Sequence, residues 1–205
     1  MSTKKINNRK DILLLLLYAA GASGNYNEPI VGRTRLIKML FLFKKEALEH
    51  FKKGTEISEE TFYDFFAWDF GPFSAEAYND LTFFTLRNFI KSKKTDDDVL
   101  PEELEEWGNY VEASGVCDLS ASDYGEEDYL PSEQEYVAEE FFLTDKGKQF
   151  VEQNLWAILN DAQKELLNKF KAKLCSISLR ALLRYVYTTY ENMTDKSKIK
   201  GDILA

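Results

Sequence analysis

One stretch of this chain, from Thr95 to Glu140, contains 17 aspartate and glutamate residues and no lysine, arginine or histidine. The whole chain has 35 acidic and 26 basic residues, so the part outside the stretch holds 18 acidic and 26 basic residues and is net +8. The overall formal charge of -9 therefore hides a basic body. The sequence predicts that this body is interrupted by an acidic excursion.

The cysteines and the start of the chain bear on where the protein resides. Cys117 and Cys175 lie in unrelated contexts without a CxxC spacing, so a reducing, cytoplasmic location is expected. Residues 4–22 imitate a signal peptide, with basic residues before an apolar run. We favour a buried first helix with no membrane association, because the run is about half of the roughly 20 residues that a membrane span needs and Asn7 or Asn8 can cap a helix.

Apolar periodicity predicts two helices in the first part of the chain. Residues 9–20 are apolar nearly all round, and the Gly- and Asn-rich segment 21–29 ends this helix as a loop. Thr34 is the predicted cap of a second helix, which should end near Gly54. The apolar face of this second helix holds Leu36, Ile37, Leu40, Phe41, Leu48 and Phe51, and its polar face holds Lys38, Lys45, Glu49 and Lys52.

An aromatic segment precedes the third predicted helix. Residues 62–70 are dense in aromatics and predict a strand or an extended core segment, which Gly71 and Pro72 break. Ser74 then caps a helix over residues 75–87. The predicted apolar stripe of this helix consists of Tyr78, Leu81, Thr82, Thr85 and Leu86.

Two strand candidates, residues 89–93 and 136–143, flank the acidic stretch and predict a hairpin. Helices are expected over residues 145–159, 161–174 and 178–190, and the polar tail 195–205 should be frayed or ordered by a partner. The order of elements predicts a mainly α (α+β) fold. Specifically, a winged-helix-like domain spans residues 1–150 with an enlarged acidic wing insertion at 95–135, and a C-terminal helical extension, residues 151–205, packs on it.

Three sequence blocks stand out: GRTRLIKMLF at 32–41, WDFGPFS at 68–74 and FLTDKG at 142–147. In this order they resemble blocks of the YwgA-like winged-helix proteins, a family without an established activity. Residues 182–199 resemble the C-terminal helix and tail of the same group. The blocks are more distantly similar to the Panacea domain of SocA-like antitoxins. The resemblance implies a winged-helix fold and, through the second group, action by partner binding or DNA-linked regulation. The long acidic insertion departs from both groups.

Few side chains are suited to catalysis. His50, the only histidine, lies among lysines at the end of a predicted helix, which favours an exposed structural role. Carboxylates around Cys117 disfavour a reactive thiolate, and Cys175 is interpreted as a small apolar filler. The acidic clusters 96–98 and 123–128 lack EF-hand spacing, so a solvated charge run is favoured over a calcium or magnesium site. The sequence therefore predicts a protein that is not an enzyme and needs no cofactor.

Nucleic-acid binding is considered because a winged helix usually presents its third helix to the major groove of DNA. Here that helix carries two carboxylates, Glu76 and Asp80, which would repel phosphates. Only Asn79 and Arg87 are suited to contact DNA from it. Contacts are expected instead from cations at helix entrances and at the base of the wing, with ordinary solvated charge as the alternative. These cations are Arg33, Arg35, Lys38, Lys91, Lys93, Lys94, Lys146 and Lys148.

The acidic stretch also contains aromatic and aliphatic side chains, which a passive spacer would not need. Residues 101–111 could form a short amphipathic helix. We interpret the stretch as a partner-binding element. The alternatives are a disordered loop and an insert that covers the basic surface of its own protein. The predicted partner-binding residues are Leu104, Trp107, Tyr110, Tyr124 and Tyr129.

These features favour a non-enzymatic protein-interaction subunit of antitoxin-like or accessory type, in a defence or chromosome-associated complex. Its expected partner is another protein, such as a toxin, a nuclease or an ATPase-type component. The alternative is a DNA-binding winged-helix transcriptional regulator, which would bind duplex DNA through the basic residues named above.

Overall fold

An apolar helix, α1 (Arg9–Tyr18), is buried from Ile12 to its end. The computed structural model describes residues 5–94 and 139–205. Asn8 caps α1, because its side chain accepts a hydrogen bond from the Lys10 backbone N–H at 2.9 Å. The predicted buried first helix is confirmed. Nowhere in the part of the chain that the structure describes is a helix long and apolar enough to cross a membrane.

A three-stranded antiparallel sheet lies against α1, in the order β1 (Ile30–Val31), β5 (Glu139–Leu143) and β4 (Ile90–Lys94). In the β4–β5 register Lys94 lies opposite Glu139. The predicted pairing of the two strands that flank the acidic stretch is confirmed. β1 was not predicted, because two residues are too few to show an alternating pattern.

The second helix, α2 (Arg33–Leu42), continues through the π-helical residues Phe43–Ala47 into α3 (Leu48–Phe51). The predicted cap at Thr34 is wrong. The N-cap of the helix is Gly32, which has a positive φ of 88°. The backbone N–H of Gly32 donates to the Glu139 carbonyl at 2.8 Å. The six apolar positions predicted for this helix are all buried.

The aromatic segment forms a second, two-stranded sheet from β2 (Phe66–Trp68) and β3 (Gly71–Phe73). A strand is thus confirmed, but Gly71 and Pro72 do not break it; they belong to the returning strand. Gly71 has a φ of 80°, and a Cβ at this position would lie 2.8 Å from the Tyr187 ring. The close approach of the ring explains why this turn uses glycine.

The third predicted helix is α4 (Ala75–Leu86), and its cap at Ser74 is confirmed by a 3.3 Å bond from the Ala77 N–H to the serine hydroxyl. Its predicted apolar stripe is wrong in part, because Thr82, Thr85 and Leu86 are exposed. Asp80 of α4 forms ion pairs with Arg9 and Lys10 at the start of α1, so the face of α4 that carries Asp80 is the one that packs inward. The buried positions of α4 are Ala77, Asp80, Leu81 and Phe84.

The rest of the chain is helical. The predicted frayed tail is wrong for its last residues: Ile199 and Ile203 are buried, and Arg180 and Arg184 donate to backbone carbonyls of the final helix. One hydrophobic cluster joins side chains of α1, α2 and these helices. The described part of the fold is mainly helical, with two small sheets. The remaining helices are α5 (Asp145–Asn154), α6 (Asp161–Cys175), α7 (Leu179–Thr189) and α8 (Lys200–Leu204), with 3-10 turns at Trp156–Ile158 and Glu191–Met193.

Candidate functional site

Aromatic side chains cover the outer face of the β2–β3 hairpin. Phe66 and Trp68 are two residues apart on β2 and so share a face, where they are 45% and 39% exposed. The Phe66 ring meets the Phe73 ring edge to face, with centroids 5.6 Å apart, and lies 5.8 Å from Trp68. The Phe73 centroid lies 5.7 Å from that of Tyr78, at the start of α4. We call Phe66, Trp68, Phe73 and Tyr78 the hairpin surface.

Arg33 connects the hairpin surface to β5. Its Nη1 donates to the Tyr78 hydroxyl and its Nη2 to a Glu139 carboxylate oxygen, both at 2.8 Å. The guanidinium carbon also lies 4.7 Å from the centre of the Tyr78 ring. Both terminal nitrogens of Arg33 therefore donate to partners within the protein, and the bond to the Tyr78 hydroxyl fixes the orientation of that side chain.

The position of Lys38 shows that the prediction for this residue is wrong. Lys38 was assigned to the polar face of its helix and to the nucleic-acid-binding set, but it is only 3% exposed. Its Nζ donates to the Pro72 carbonyl at 2.9 Å, and burial lowers its pKa to about 7. Lys38 therefore cannot reach a phosphate and instead joins α2 to β3.

Arg35 is also used internally. Its Nη1 donates to the carbonyls of Leu174 and Ile177, at 2.6 and 2.8 Å, and so ties α2 to the turn between α6 and α7. The structure thus does not bring Arg33, Arg35 and Lys38 together as a free basic patch.

The other predicted cations lie near the β4–β5 hairpin. Lys148 forms an ion pair with Asp145 at 2.8 Å, whereas Lys146 donates to the Arg87 carbonyl at 2.9 Å. The remaining members of the set are Lys91 and Lys93, which are exposed on β4, and Lys94, whose side chain lies outside the described part.

The carboxylates of α4 do not face outward as a repulsive pair. Asp80 is buried, with its two oxygens 3.4 Å from Arg9 Nε and 3.3 Å from Lys10 Nζ, and Glu76 pairs with Arg9 at 2.8 Å. Burial, followed by the charge of Asp80, raises the pKa of the adjacent Tyr63 hydroxyl. The outward face of α4 is consequently not acidic, and it presents Phe83 and Leu86 instead.

A cleft of about 340 Å³ opens beside the end of α4. The periodicity of the sequence does not reveal it, because its walls come from α1, α4, α5 and the turn before β4. We call it the α4 cleft, and it is lined by Asn8, Lys10, Asp11, Leu14, Phe83, Phe84, Arg87, Phe89 and Phe150.

The described side chains show no arrangement typical of catalysis. His50 is exposed as predicted, and burial raises the pKa of the half-buried Cys175 thiol, which lowers its reactivity. Within residues 5–94 and 139–205, no group of His, Cys, Asp or Glu side chains could hold a metal ion. Several predicted features lie outside the described residues: Cys117, the acidic clusters 96–98 and 123–128, the insertion at 95–135, and the partner-binding candidates Leu104, Trp107, Tyr110, Tyr124 and Tyr129.

Comparisons of the chain with protein-family models, with curated proteins and with solved structures gave no match. The function of this protein is therefore inferred from its own surfaces. The hairpin surface and the α4 cleft are the two candidates that the described residues offer.

Proposed function

We propose that the protein is a non-enzymatic interaction subunit, antitoxin-like or accessory, that docks on another protein through the hairpin surface. The observation that carries this proposal is the exposure of Phe66 and Trp68, at 45% and 39%, within a cluster of aromatic rings in edge-to-face contact. Large aromatic side chains beside an arginine are typical of the energetic centres of protein interfaces. A toxin, a nuclease or an ATPase-type component is the proposed partner, in a defence or chromosome-associated complex.

Contacts with the body of the protein hold the hairpin surface in place. A preordered surface favours binding, because it loses little conformational entropy when a partner docks. The Lys38 ammonium fixes the Pro72 carbonyl, as described above. At the turn, the Asp69 carbonyl accepts hydrogen bonds from the Lys198 N–H at 3.0 Å and from the Ser197 hydroxyl at 3.1 Å. The side chains of Lys198 and Asp69 add an ion pair at 2.8 Å. Strand β3 and the turn of the hairpin are therefore anchored to the body.

The topology supports the winged-helix part of the proposal. Helix α1, strand β1 and helix α2 come first, the β2–β3 hairpin and helix α4 follow, and strands β4 and β5 come last, with β5 lying between β1 and β4. In a winged-helix-like domain the β4–β5 hairpin is the wing, and the acidic insertion at residues 95–135 enlarges it. Helix α4 then occupies the position of the recognition helix. Its exposed Phe83 and Leu86 suit contact with a protein better than contact with phosphates.

Alanine at both Phe66 and Trp68 tests the proposal. Quantitative capture of partner proteins from a lysate of the native host should fall by about tenfold or more, because truncating central aromatic anchors typically costs at least about 2 kcal/mol of binding energy. Tyr26→Ala, at a 52% exposed aromatic residue in another loop, is the matched control and should leave capture unchanged. If the double variant retains its far-ultraviolet circular dichroism spectrum and captures the same proteins equally well, the hairpin surface is not the docking site.

The DNA-binding regulator remains the second proposal, favoured by the net +8 of the chain outside the acidic stretch and by the exposed Lys91 and Lys93 on the proposed wing. Binding to a duplex should weaken steeply as salt rises, since each phosphate contact adds about 0.9 to the slope of log K against log salt. Replacing both lysines with alanine should lower that slope by about 2. Absence of duplex binding at low salt would exclude this function.

A further inference from the structure

The α4 cleft has an apolar floor and lies apart from the residues of the hairpin surface. Leu14 of α1, Phe84 of α4 and Phe150 of α5 line it together with Phe89, which precedes β4. The Phe84 and Phe150 rings both contact Phe89, at centroid distances of 5.8 and 5.3 Å. The floor is thus built from rings that support one another. A cleft of this volume is large enough for one bulky side chain of a ligand.

Cations surround this apolar floor. Lys10 Nζ lies 4.5 Å from the centre of the Phe83 ring, and the Arg87 guanidinium carbon lies 5.3 Å from the same ring. Lys146 Nζ lies 4.5 Å from the centre of the Phe89 ring. Aromatic faces attract cations and hold them in place. The rim therefore presents positive charge in fixed positions.

Carboxylates in the described part of the chain leave most of this positive charge without an ion pair. Arg87 and Lys146 form no ion pair with any carboxylate of residues 5–94 or 139–205. Lys10 is paired with the buried Asp80. The one carboxylate in the lining, Asp11, is half-buried, and its hydrogen bonds go to backbone groups of the preceding residues. An incoming anion would consequently meet two cations, Arg87 and Lys146, that form no ion pair within the described residues.

The face of α4 beside the cleft is unusually apolar. Phe83 is 40% exposed and Leu86 is 82% exposed, and their spacing of three residues places them on the same side of the helix. Exposed apolar residues next to fixed charges are typical of surfaces that bind proteins. Nucleic acid would place phosphates beside this leucine, which is an unfavourable contact.

We propose that the α4 cleft binds an acidic segment of a partner protein. One aromatic or large aliphatic side chain of that segment fills the space over Phe84 and Phe89, and its flanking carboxylates pair with Arg87 and Lys146. This inference goes beyond the hairpin surface, because it concerns different residues and specifies the chemistry of the ligand.

Fluorescence anisotropy with the full chain tests this site. The probe is a short fluorescein-labelled peptide of glutamate and serine with one central tryptophan. Saturable binding is expected, and it should weaken by about tenfold when Arg87→Glu and Lys146→Glu are combined. Replacing the tryptophan of the probe with serine should weaken binding comparably. Lys53→Glu with Lys173→Glu is the matched control, because it makes the same change of charge at exposed residues away from the cleft.

Each remaining outcome decides against the proposal. Equal loss of affinity in the control pair would mean that the protein attracts acidic peptides without a site. Displacement of the peptide by duplex DNA at lower concentration would assign the cleft to nucleic acid. Tighter peptide binding by a variant lacking residues 95–135 would make the chain's own acidic stretch the occupant. Phe83→Ser should also weaken binding, and it keeps the test decisive if the double charge reversal fails to fold.

Discussion

Two buried lysines each use their ammonium group to join elements of the body. Lys38 Nζ donates to the Pro72 carbonyl at 2.9 Å, and Lys171 Nζ donates to the Leu17 carbonyl at 2.7 Å. Burial lowers the pKa of Lys38 to about 7 and that of Lys171 to about 8. Because desolvation disfavours the charged form, these contacts depend on pH in a range where exposed lysines do not titrate.

The stability contributed by Lys38 should therefore rise with pH. Above about pH 7 the folded protein releases the Lys38 proton, whereas the unfolded chain keeps it until its ordinary pKa of 10.5. The unfolded state binds more protons, so the free energy of unfolding increases as pH rises through this window. The difference in the free energy of unfolding between the natural protein and Lys38→Met should therefore shift by about 2 kcal/mol in favour of the natural protein between about pH 7 and about pH 9. Urea denaturation measures this difference. Lys45→Met, at an exposed residue, should show no such trend; a pH-independent difference for Lys38→Met would refute the assignment.

Gly147 is required by a close approach of two backbones. A Cβ there would collide with the Phe89 carbonyl oxygen, which already accepts a 3.0 Å hydrogen bond from the Thr144 N–H. Gly147→Ala should lower the free energy of unfolding by about 2 kcal/mol or more. In the matched variant Gly201→Ala, the new methyl group meets no atom within 4 Å in a helix, so stability should be unchanged or slightly raised. Thermal unfolding of the two variants side by side distinguishes these outcomes.

At the scale of elements, the starts of helices were predictable where the determinant is local. Asn8 and Ser74 cap α1 and α4 as their sequence context predicts, because a cap depends on the next few residues alone. The start of α2 and the buried face of α4 were not predictable. The first depends on the hydrogen bond that Gly32 makes to β5, and the second on the ion pairs of Asp80 with α1, and both partners are distant in sequence.

The cap of α4 can be tested directly. Ser74→Ala removes the hydroxyl that accepts from the Ala77 N–H at the start of α4 and should cost about 1 kcal/mol of unfolding free energy. Because Ser74 is buried, no water would replace the lost bond to the Ala77 N–H. Ser176→Ala, at an exposed hydroxyl that bonds only the Lys173 carbonyl, should change stability little in the same chemical denaturation experiment. Equal effects of the two variants would show that Ser74 does not act as a cap.

At the scale of the whole molecule, the sequence showed the residues of the hairpin surface but not their exposure. Aromatic runs usually enter the core, and in this one Phe62 and Tyr63 do, whereas Phe66 and Trp68 face outward. The α4 cleft was not predictable, because the fold assembles it from residues as distant in sequence as Leu14 and Phe150. The charge of the basic body was visible, but not that Arg33, Arg35 and Lys38 bond within the protein.

The two surfaces share no residue and should act independently. The Phe66→Ala and Trp68→Ala pair should leave the affinity for the acidic tryptophan peptide unchanged, and Arg87→Glu with Lys146→Glu should leave capture through the hairpin surface unchanged. Free-energy effects of separate sites usually add. A double-mutant cycle in the anisotropy assay measures this, and a coupling energy above about 0.5 kcal/mol would show that the surfaces act as one.

The register of β4 and β5 has a consequence for how this protein can diverge. Lys94 and Glu139 lie directly opposite each other, so both ends of the acidic segment are fixed at about 5 Å, the spacing of one strand pair. The entropic cost of closing a chain segment between two fixed ends grows by only about 0.6 kcal/mol with each doubling of its length. Residues can therefore be added to or removed from this segment at little cost to the body. The body can keep its packing while the length and sequence of the segment between Lys94 and Glu139 change.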